Sequence, residues 1–214
     1  MDVSLRPRLR GVFHQYAFFA SLAAGAALVL AADGVRERVA MAVYATALAT
    51  MLGVSALYHR IVWRTPETRR LMRRLDHSAI PLLIAGTYTP FAVLAFDGLL
   101  ADAILLVVWA GAAASLLLNL FWVDAPKWVT AVVFIALGWV GVAAVPELLE
   151  FGLAPTLLVF LGGALYTLGA VAYALRRPNP VPLVFGYHEI FHLLVLAAAA
   201  VHYTAIAAYV LPQA

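Results

Sequence analysis

The sequence predicts an all-α protein, a bundle of seven transmembrane helices with a cytoplasmic N-terminus and an extracytoplasmic C-terminus. Composition is the first observation: the 214 residues are 65% hydrophobic and 12% charged, whereas soluble domains are nearer half apolar and a quarter charged. The second is a series of seven long apolar runs, and the third is the placement of the basic residues between them. Short connections between the runs predict one domain over residues 1–214.

Each apolar run is close to the roughly 20 residues that a membrane-spanning helix requires. The runs are continuous rather than alternating, which indicates helices and not the strands of a closed barrel. They cover residues 16–32, 39–58, 77–96, 101–121, 128–145, 153–174 and 188–210.

The first run follows basic residues and could also belong to a cleaved signal peptide. It has 17 apolar or small residues, whereas the apolar part of a signal peptide usually has about 7–15. The length favours a retained first helix.

Basic residues predict the orientation, because cytoplasmic loops of membrane proteins carry an excess of Lys and Arg. All but two of the 14 Lys and Arg residues lie in the N-terminal segment and in the loops after the second, fourth and sixth runs. The other two, Arg36 and Arg38, share the opposite side with acidic residues. The N-terminus is therefore predicted to be cytoplasmic and the C-terminus external.

The loop after the second run, residues 60–76, is predicted to form a short helix at the membrane interface. Thr65 can cap this helix and Pro66 suits its first turn. Its six arginines suit anionic lipid headgroups, so we expect membrane lipids as partners and no nucleic acid.

Polar residues near the ends of three predicted helices require an explanation, because ionisable groups inside a membrane are costly. The topology places the end of helix 2 and the beginnings of helices 3 and 7 at one depth, near the cytoplasmic surface. The residues concerned are Ser55, His59, Asp76, His188, Glu189 and His192.

The spacing of the histidines favours a metal site. His188 and His192 are four residues apart and share a helix face, and His59 can add a third imidazole from helix 2. Three histidines leave the fourth position of zinc open, as in catalytic sites, although imidazole also suits copper, iron or nickel. The chain has no cysteine, which excludes thiolate-bound metals.

Three further histidines are predicted to have other roles. His77 points about 100° away from Asp76 around a helix and is expected to form structural hydrogen bonds. His202 lies ten residues beyond His192, nearly three turns away, and cannot share its metal. His14 precedes the first run and is expected at the interface.

The segment HEIFH, residues 188–192, also matches the H-E-x-x-H pattern of zinc proteases, in which Glu is the base. Intramembrane proteases of this kind take another ligand from an Asp-Gly pair. Here Asp97 and Gly98 precede the motif and lie at the far end of helix 3. The protease interpretation is therefore disfavoured.

Three elements, SALYH (55–59), the Asp of RRLDHS (73–78) and HEIFHLLVLAAAAVHY (188–203), resemble the hemolysin III family across the chain. This family is the bacterial branch of the progestin and adipoQ receptor group, and it is more distantly related to alkaline ceramidases. The resemblance implies zinc bound by His59, His188 and His192, with Asp76 and Ser55 beside the metal's water. It also implies a multi-pass protein of the bacterial plasma membrane.

The sequence leaves several functions open. The leading hypothesis is a zinc-dependent hydrolase of a lipid amide or ester, in which Asp76 transfers protons and Ser55 orients it. An alternative is a non-enzymatic membrane sensor or homeostasis protein whose zinc is structural, with Asp76 as fourth ligand. A lytic role is less favoured, because no basic amphipathic helix stands out. A haem protein, with iron bound by histidines, is a further alternative and would show a Soret band.

The orientation is testable with reporters fused after Ala214. A reporter that is active only outside the cytoplasm should work at this position, whereas a cytoplasmic reporter should be inactive, because the positive loops hold the other face inside. The same pair of reporters fused after Arg64, in the loop after the second run, should give the reverse result. A cytoplasmic C-terminus would contradict the predicted topology.

Overall fold

The computed structural model describes residues 7–122 and 124–214, and most of these residues are helical. Within them, seven stretches are long and apolar enough to cross a membrane, which confirms the predicted all-α fold with seven spans. The helices are α1 (Val12–Ala31), α2 (Val35–Arg60), α3 (Pro66–Leu94), α4 (Gly98–Phe121), α5 (Lys127–Gly138), α6 (Val145–Phe151), α7 (Leu153–Leu175) and α8 (Tyr187–Ala205).

Two of the seven spans are not simple α-helices. The fifth span joins α5 to α6 through a 3-10 segment, Val140–Ala144, and so continues past the predicted end at residue 145. The seventh extends α8 through a π segment, Ile206–Val210, and a last 3-10 turn. Such irregular turns are compatible with a membrane when neighbouring helices bury them.

The third span differs from the prediction. The sequence predicts a separate interfacial helix over residues 60–76, and this is wrong: α3 begins at Pro66 and runs unbroken for 29 residues. The predicted cap is confirmed, because the Thr68 N–H donates to the Thr65 hydroxyl at 3.2 Å. The arginine-rich turns are therefore the first turns of α3, which the apolar pattern misses because they are polar.

The bundle is buried at its centre and apolar on its outside. Met41, Tyr44 and Leu52 of α2 are almost completely buried, whereas Leu30 and Leu99 are 83% and 85% exposed. Large apolar side chains on the outer surface suit contact with lipid rather than water. The core therefore consists of helix contacts around α2 and α3.

The packing order brings distant parts of the chain together. α2 packs between α1 and α3, α3 also packs on α4, α7 packs on α8, and α1 contacts α8. The beginnings of α1, α3 and α8 consequently meet the end of α2 at one end of the bundle. Whether this end faces the cytoplasm stays a prediction.

The contact between α2 and α3 depends on a glycine. A Cβ atom added at Gly86 would lie 2.4 Å from the Cβ of Ala47, well inside the distance at which two carbons repel. Small residues allow helix backbones to approach closely in membranes, where packing and not the hydrophobic effect drives association.

We expect Gly86→Ala to lower the free energy of unfolding by about 1–3 kcal/mol, because the new methyl group overpacks this interface. The measurement is the unfolding midpoint of the purified protein in a fixed detergent. Gly163→Ala is the matched control, since its added Cβ would approach the Trp139 ring no closer than 3.8 Å. Equal midpoints for the two variants would contradict this account of the interface.

Candidate metal centre

Three histidines from two helices meet at the crowded end of the bundle. His59 is the penultimate residue of α2, and His188 and His192 occupy the first two turns of α8. One ligand nitrogen from each lies within 4.8 Å of the others. The structure thus brings together the three residues that the sequence predicts as metal ligands.

The distances and the donor atoms fit a bound metal ion. The Nε2 atoms of His59 and His188 are 3.2 Å apart, and two nitrogens bound to one tetrahedral zinc are roughly 3.3 Å apart. The side chain of His192 is 2% exposed, and that of His59 is only slightly more exposed. Neutral imidazole is a good ligand for zinc and for several transition metals, so the cluster can hold a metal ion.

Asp76 and Ser55 lie beside the histidines. The Asp76 Oδ2 atom is 3.6 Å from the His59 Nε2 atom, and the Ser55 hydroxyl is 2.9 Å from the His14 Nδ1 atom. Both residues are buried and line the same small cavity as His188 and His192. The carboxylate is therefore placed next to the cluster, at a distance that suits either contact with a metal or a role beside it.

The interfacial prediction for His14 is wrong. The side chain is 2% exposed, its ring stacks on that of His192 with centroids 3.9 Å apart, and its Nδ1 atom is 2.9 Å from the Ser55 hydroxyl. α1 begins at Val12, four residues before the predicted run, which draws His14 into the bundle. A signal was available: His14 shares a helical spacing with Ser21 and Gly25, which are also buried.

The carboxylate of Glu189 does not point to the cluster. Its side chain is completely buried, one oxygen accepts a hydrogen bond from the Arg10 guanidinium, and the other accepts from the Gly186 N–H at 2.8 Å. Both oxygens are therefore engaged in holding the start of α8. This position differs from the role of the Glu in zinc proteases, where it activates water.

The two other residues that bear on these hypotheses lie away from the cluster. His202 lies ten residues beyond His192 along α8, and its Nε2 atom bonds to the Val159 carbonyl oxygen at 3.1 Å. Asp97 precedes α4, at the far end of α3 from Asp76, a separation of about 30 Å along a helix. Neither residue can complete the site. His77, by contrast, lines the small cavity beside Asp76.

A second cavity, of about 120 Å³, adjoins the small one and extends toward the far side of the bundle. Met51, Phe191 and Val195 line both. Several of the hydroxyl groups around the larger cavity bond within the protein, as Thr87 does to the Leu83 carbonyl oxygen. Its walls are therefore largely apolar, and they suit a hydrocarbon chain.

Fold and cluster together define a class: a seven-helix membrane protein with a partly buried three-histidine cluster that can hold a metal ion. The model of the family described as Haemolysin-III related matches residues 4–203, so the chain belongs to this family, as the resemblance predicts. It is a multi-pass integral membrane protein, and its bacterial relatives support the bacterial plasma membrane as its location.

Individual relatives agree with this membership. The chain is 35% identical to Hemolysin-3 of Bacillus cereus over 180 residues, covering 82% of this chain and 77% of that protein. It is 34% identical to the Hemolysin-3 homolog of Bacillus subtilis over 147 residues, 68% of this chain and 65% of that one. The Adiponectin receptor protein of Drosophila melanogaster is 32% identical over 185 residues, 78% of this chain and 42% of the receptor.

We expect His14→Ala to lower the free energy of unfolding by about 2–4 kcal/mol, because it leaves a cavity against His192 and deprives Ser55 of a partner. His14→Phe keeps a ring in the stack and should cost less. Denaturant unfolding in detergent measures both variants. Tyr16→Ala is the control, since Tyr16 is 72% exposed; a loss as large as that of His14→Ala would refute the buried role of His14.

Proposed function

We propose that this protein is a zinc-dependent hydrolase that cleaves an amide or ester bond of a membrane lipid near the cytoplasmic face. The observation that carries the proposal is the meeting of three partly or fully buried imidazoles with one carboxylate, Asp76, at the mouth of an apolar cavity. His59, His188 and His192 would hold the metal. Zinc in such a site supplies a Lewis acid that activates water and polarises a carbonyl group.

The chain's own residues supply the proton transfer. The Asp76 carboxylate, 3.6 Å from the His59 ring, is placed to accept a proton from the attacking water and to return it to the leaving amine or alcohol. Ser55 bonds to His14 and lines the same small cavity as Asp76. In this proposal the Ser55 hydroxyl orients the carboxylate, and His14 fixes the hydroxyl.

The cavities support the proposal of a lipid substrate. The small cavity brings His188, His192 and Asp76 together, and the larger apolar cavity continues from it through shared walls. A carbonyl group at the histidines would leave its hydrocarbon chain in the apolar part, where burial of apolar surface stabilises binding by roughly 25 cal/mol per Å². If the hydrocarbon chain of the lipid excludes water, the electrostatic contacts around the carbonyl group become stronger.

A non-enzymatic role is the second candidate, and the position of Asp76 favours it. A carboxylate oxygen 3.6 Å from a ligand nitrogen is close to the spacing of two ligands on one tetrahedral zinc. With Asp76 as a fourth ligand the site would be closed, as structural zinc sites are. The protein would then be a membrane sensor or homeostasis protein. The names of its relatives, Hemolysin-3 and Adiponectin receptor protein, fit this candidate as well as an enzyme.

Substitutions at the site separate the two candidates. If the protein is the hydrolase, the purified His59→Ala and His188→Ala variants should each lack zinc. Asp76→Asn should keep zinc, and its turnover should fall about 10²–10⁴-fold, because only the base is removed. Zinc is measured by mass spectrometry, and turnover with a fluorescent N-acyl lipid and the matching ester.

His202→Ala is the matched control, since this histidine bonds to Val159 and lies outside the cluster; it should retain zinc. Loss of zinc from Asp76→Asn would favour the closed site and the non-enzymatic candidate. Unchanged zinc content in both cluster variants would reject the metal site altogether.

A further inference from the structure

The segment before α1 lies against the end of the bundle that carries the histidines. Two of its backbone N–H groups donate to the loop before α8: Arg8 to the Leu183 carbonyl oxygen at 3.0 Å, and Leu9 to that of Val184 at 3.2 Å. We call this segment, Pro7 to Gly11, the N-terminal strap. It joins two parts of the chain that are separated by most of its length.

The strap also touches α2 beside a predicted metal ligand. Gly11 has a φ angle of +76°, a conformation that favours glycine. A Cβ atom added there would lie 2.5 Å from the Cβ of His59. The turn from the strap into α1 therefore fits directly over His59, and α1 then brings His14 against His192.

The strongest contact of the strap is its ion pair with α8. The Arg10 guanidinium donates to one oxygen of Glu189, which is completely buried. A buried carboxylate that loses its cationic partner is strongly destabilising, so Arg10, together with the Gly186 N–H, stabilises Glu189 in this place. Glu189 follows His188 directly and lies in the same turn as His192. A displacement of its backbone would displace both imidazoles.

We infer that Arg10 is a positioning residue of the histidine cluster. Through Glu189 it clamps the first turn of α8, and it keeps the carboxylate of HEIFH turned away from the imidazoles. The inference deepens the proposed function and rests on it only where metal binding is measured, since the clamp itself is a property of the metal-free protein.

Three variants isolate the charge. Arg10→Met keeps most of the aliphatic stem and removes the guanidinium. The double variant Arg10→Met, Glu189→Gln also removes the carboxylate, while the Gln carbonyl oxygen can still accept from Gly186. Arg8→Met is the matched control, because Arg8 is exposed and serves the strap through its backbone.

Each full-length variant is reconstituted in lipid nanodiscs and measured in two ways. The first is hydrogen exchange of the amides of residues 190–194 without metal, which reports the order of the first turns of α8. The second is the affinity for Zn²⁺, together with the visible spectrum of the Co²⁺-loaded protein, which reports ligand geometry.

In Arg10→Met, hydrogen exchange should be at least roughly tenfold faster. Zinc binding should be about 10–100-fold weaker, as when outer partners of metal ligands are lost. The cobalt spectrum should also change. Arg8→Met should match the wild type, and the double variant should recover most of both losses. Packing of the Arg10 stem alone would leave Arg10→Met unchanged.

Unchanged exchange in Arg10→Met would overturn the inference, and so would an equal effect of Arg8→Met or a double variant as impaired as the single one. If the wild type binds neither Zn²⁺ nor Co²⁺ while Arg10→Met still accelerates exchange, the clamp stands and the zinc hydrolase falls. The two proposals can therefore fail separately.

Discussion

Three imidazole rings share a few ångströms of space inside an apolar bundle, and the rest of this end of the molecule depends on that crowding. Polar groups in a membrane interior must find partners within the protein. Here each neighbouring helix supplies one: α1 gives His14, α2 gives Ser55, and α3 gives Asp76. The contacts form a continuous set around the cluster, from the stacked ring of His14 to the carboxylate 3.6 Å from His59.

Some of the charged residues around this end have partners as well. Arg73 of α3 pairs with Asp124 at 2.6 Å, and the Lys127 ammonium donates to the Tyr187 hydroxyl at 2.7 Å while lying over the Tyr173 ring. These contacts join the loop before α5, and the first residue of α5, to α3, α7 and α8. Arg73 and Lys127, two of the positive residues that predict orientation, are thus also part of the structure that surrounds the histidines.

The fold and the cluster could be predicted from sequence because both leave local signals. Seven apolar runs give seven spans, four-residue spacing places His188 and His192 on one face, and the order of crossings brings His59 to them. The extent of α3 could not be obtained in this way, because its first turns are polar and continue a helix whose apolar part begins later. His14 lies in a helix whose start the apolar pattern misses, and its role depends on contacts with α2 and α8. The ion pair of Arg10 with Glu189 joins residues 179 positions apart, and no sequence pattern in either segment predicts it.

The two hydrogen-bonded oxygens of Glu189 have a consequence for surveys of genomes. A scan for H-E-x-x-H would count this chain as a peptidase, and the two histidines would make that assignment convincing. The false positive arises because the pattern records which residue is present and not the direction of its carboxylate. A simple structural test is available for membrane proteins. It asks whether the Glu carboxylate bonds both to a basic side chain and to a backbone N–H at the start of its helix. Applied to structural models, it would separate chains in which the Glu caps a helix from those in which it faces the metal.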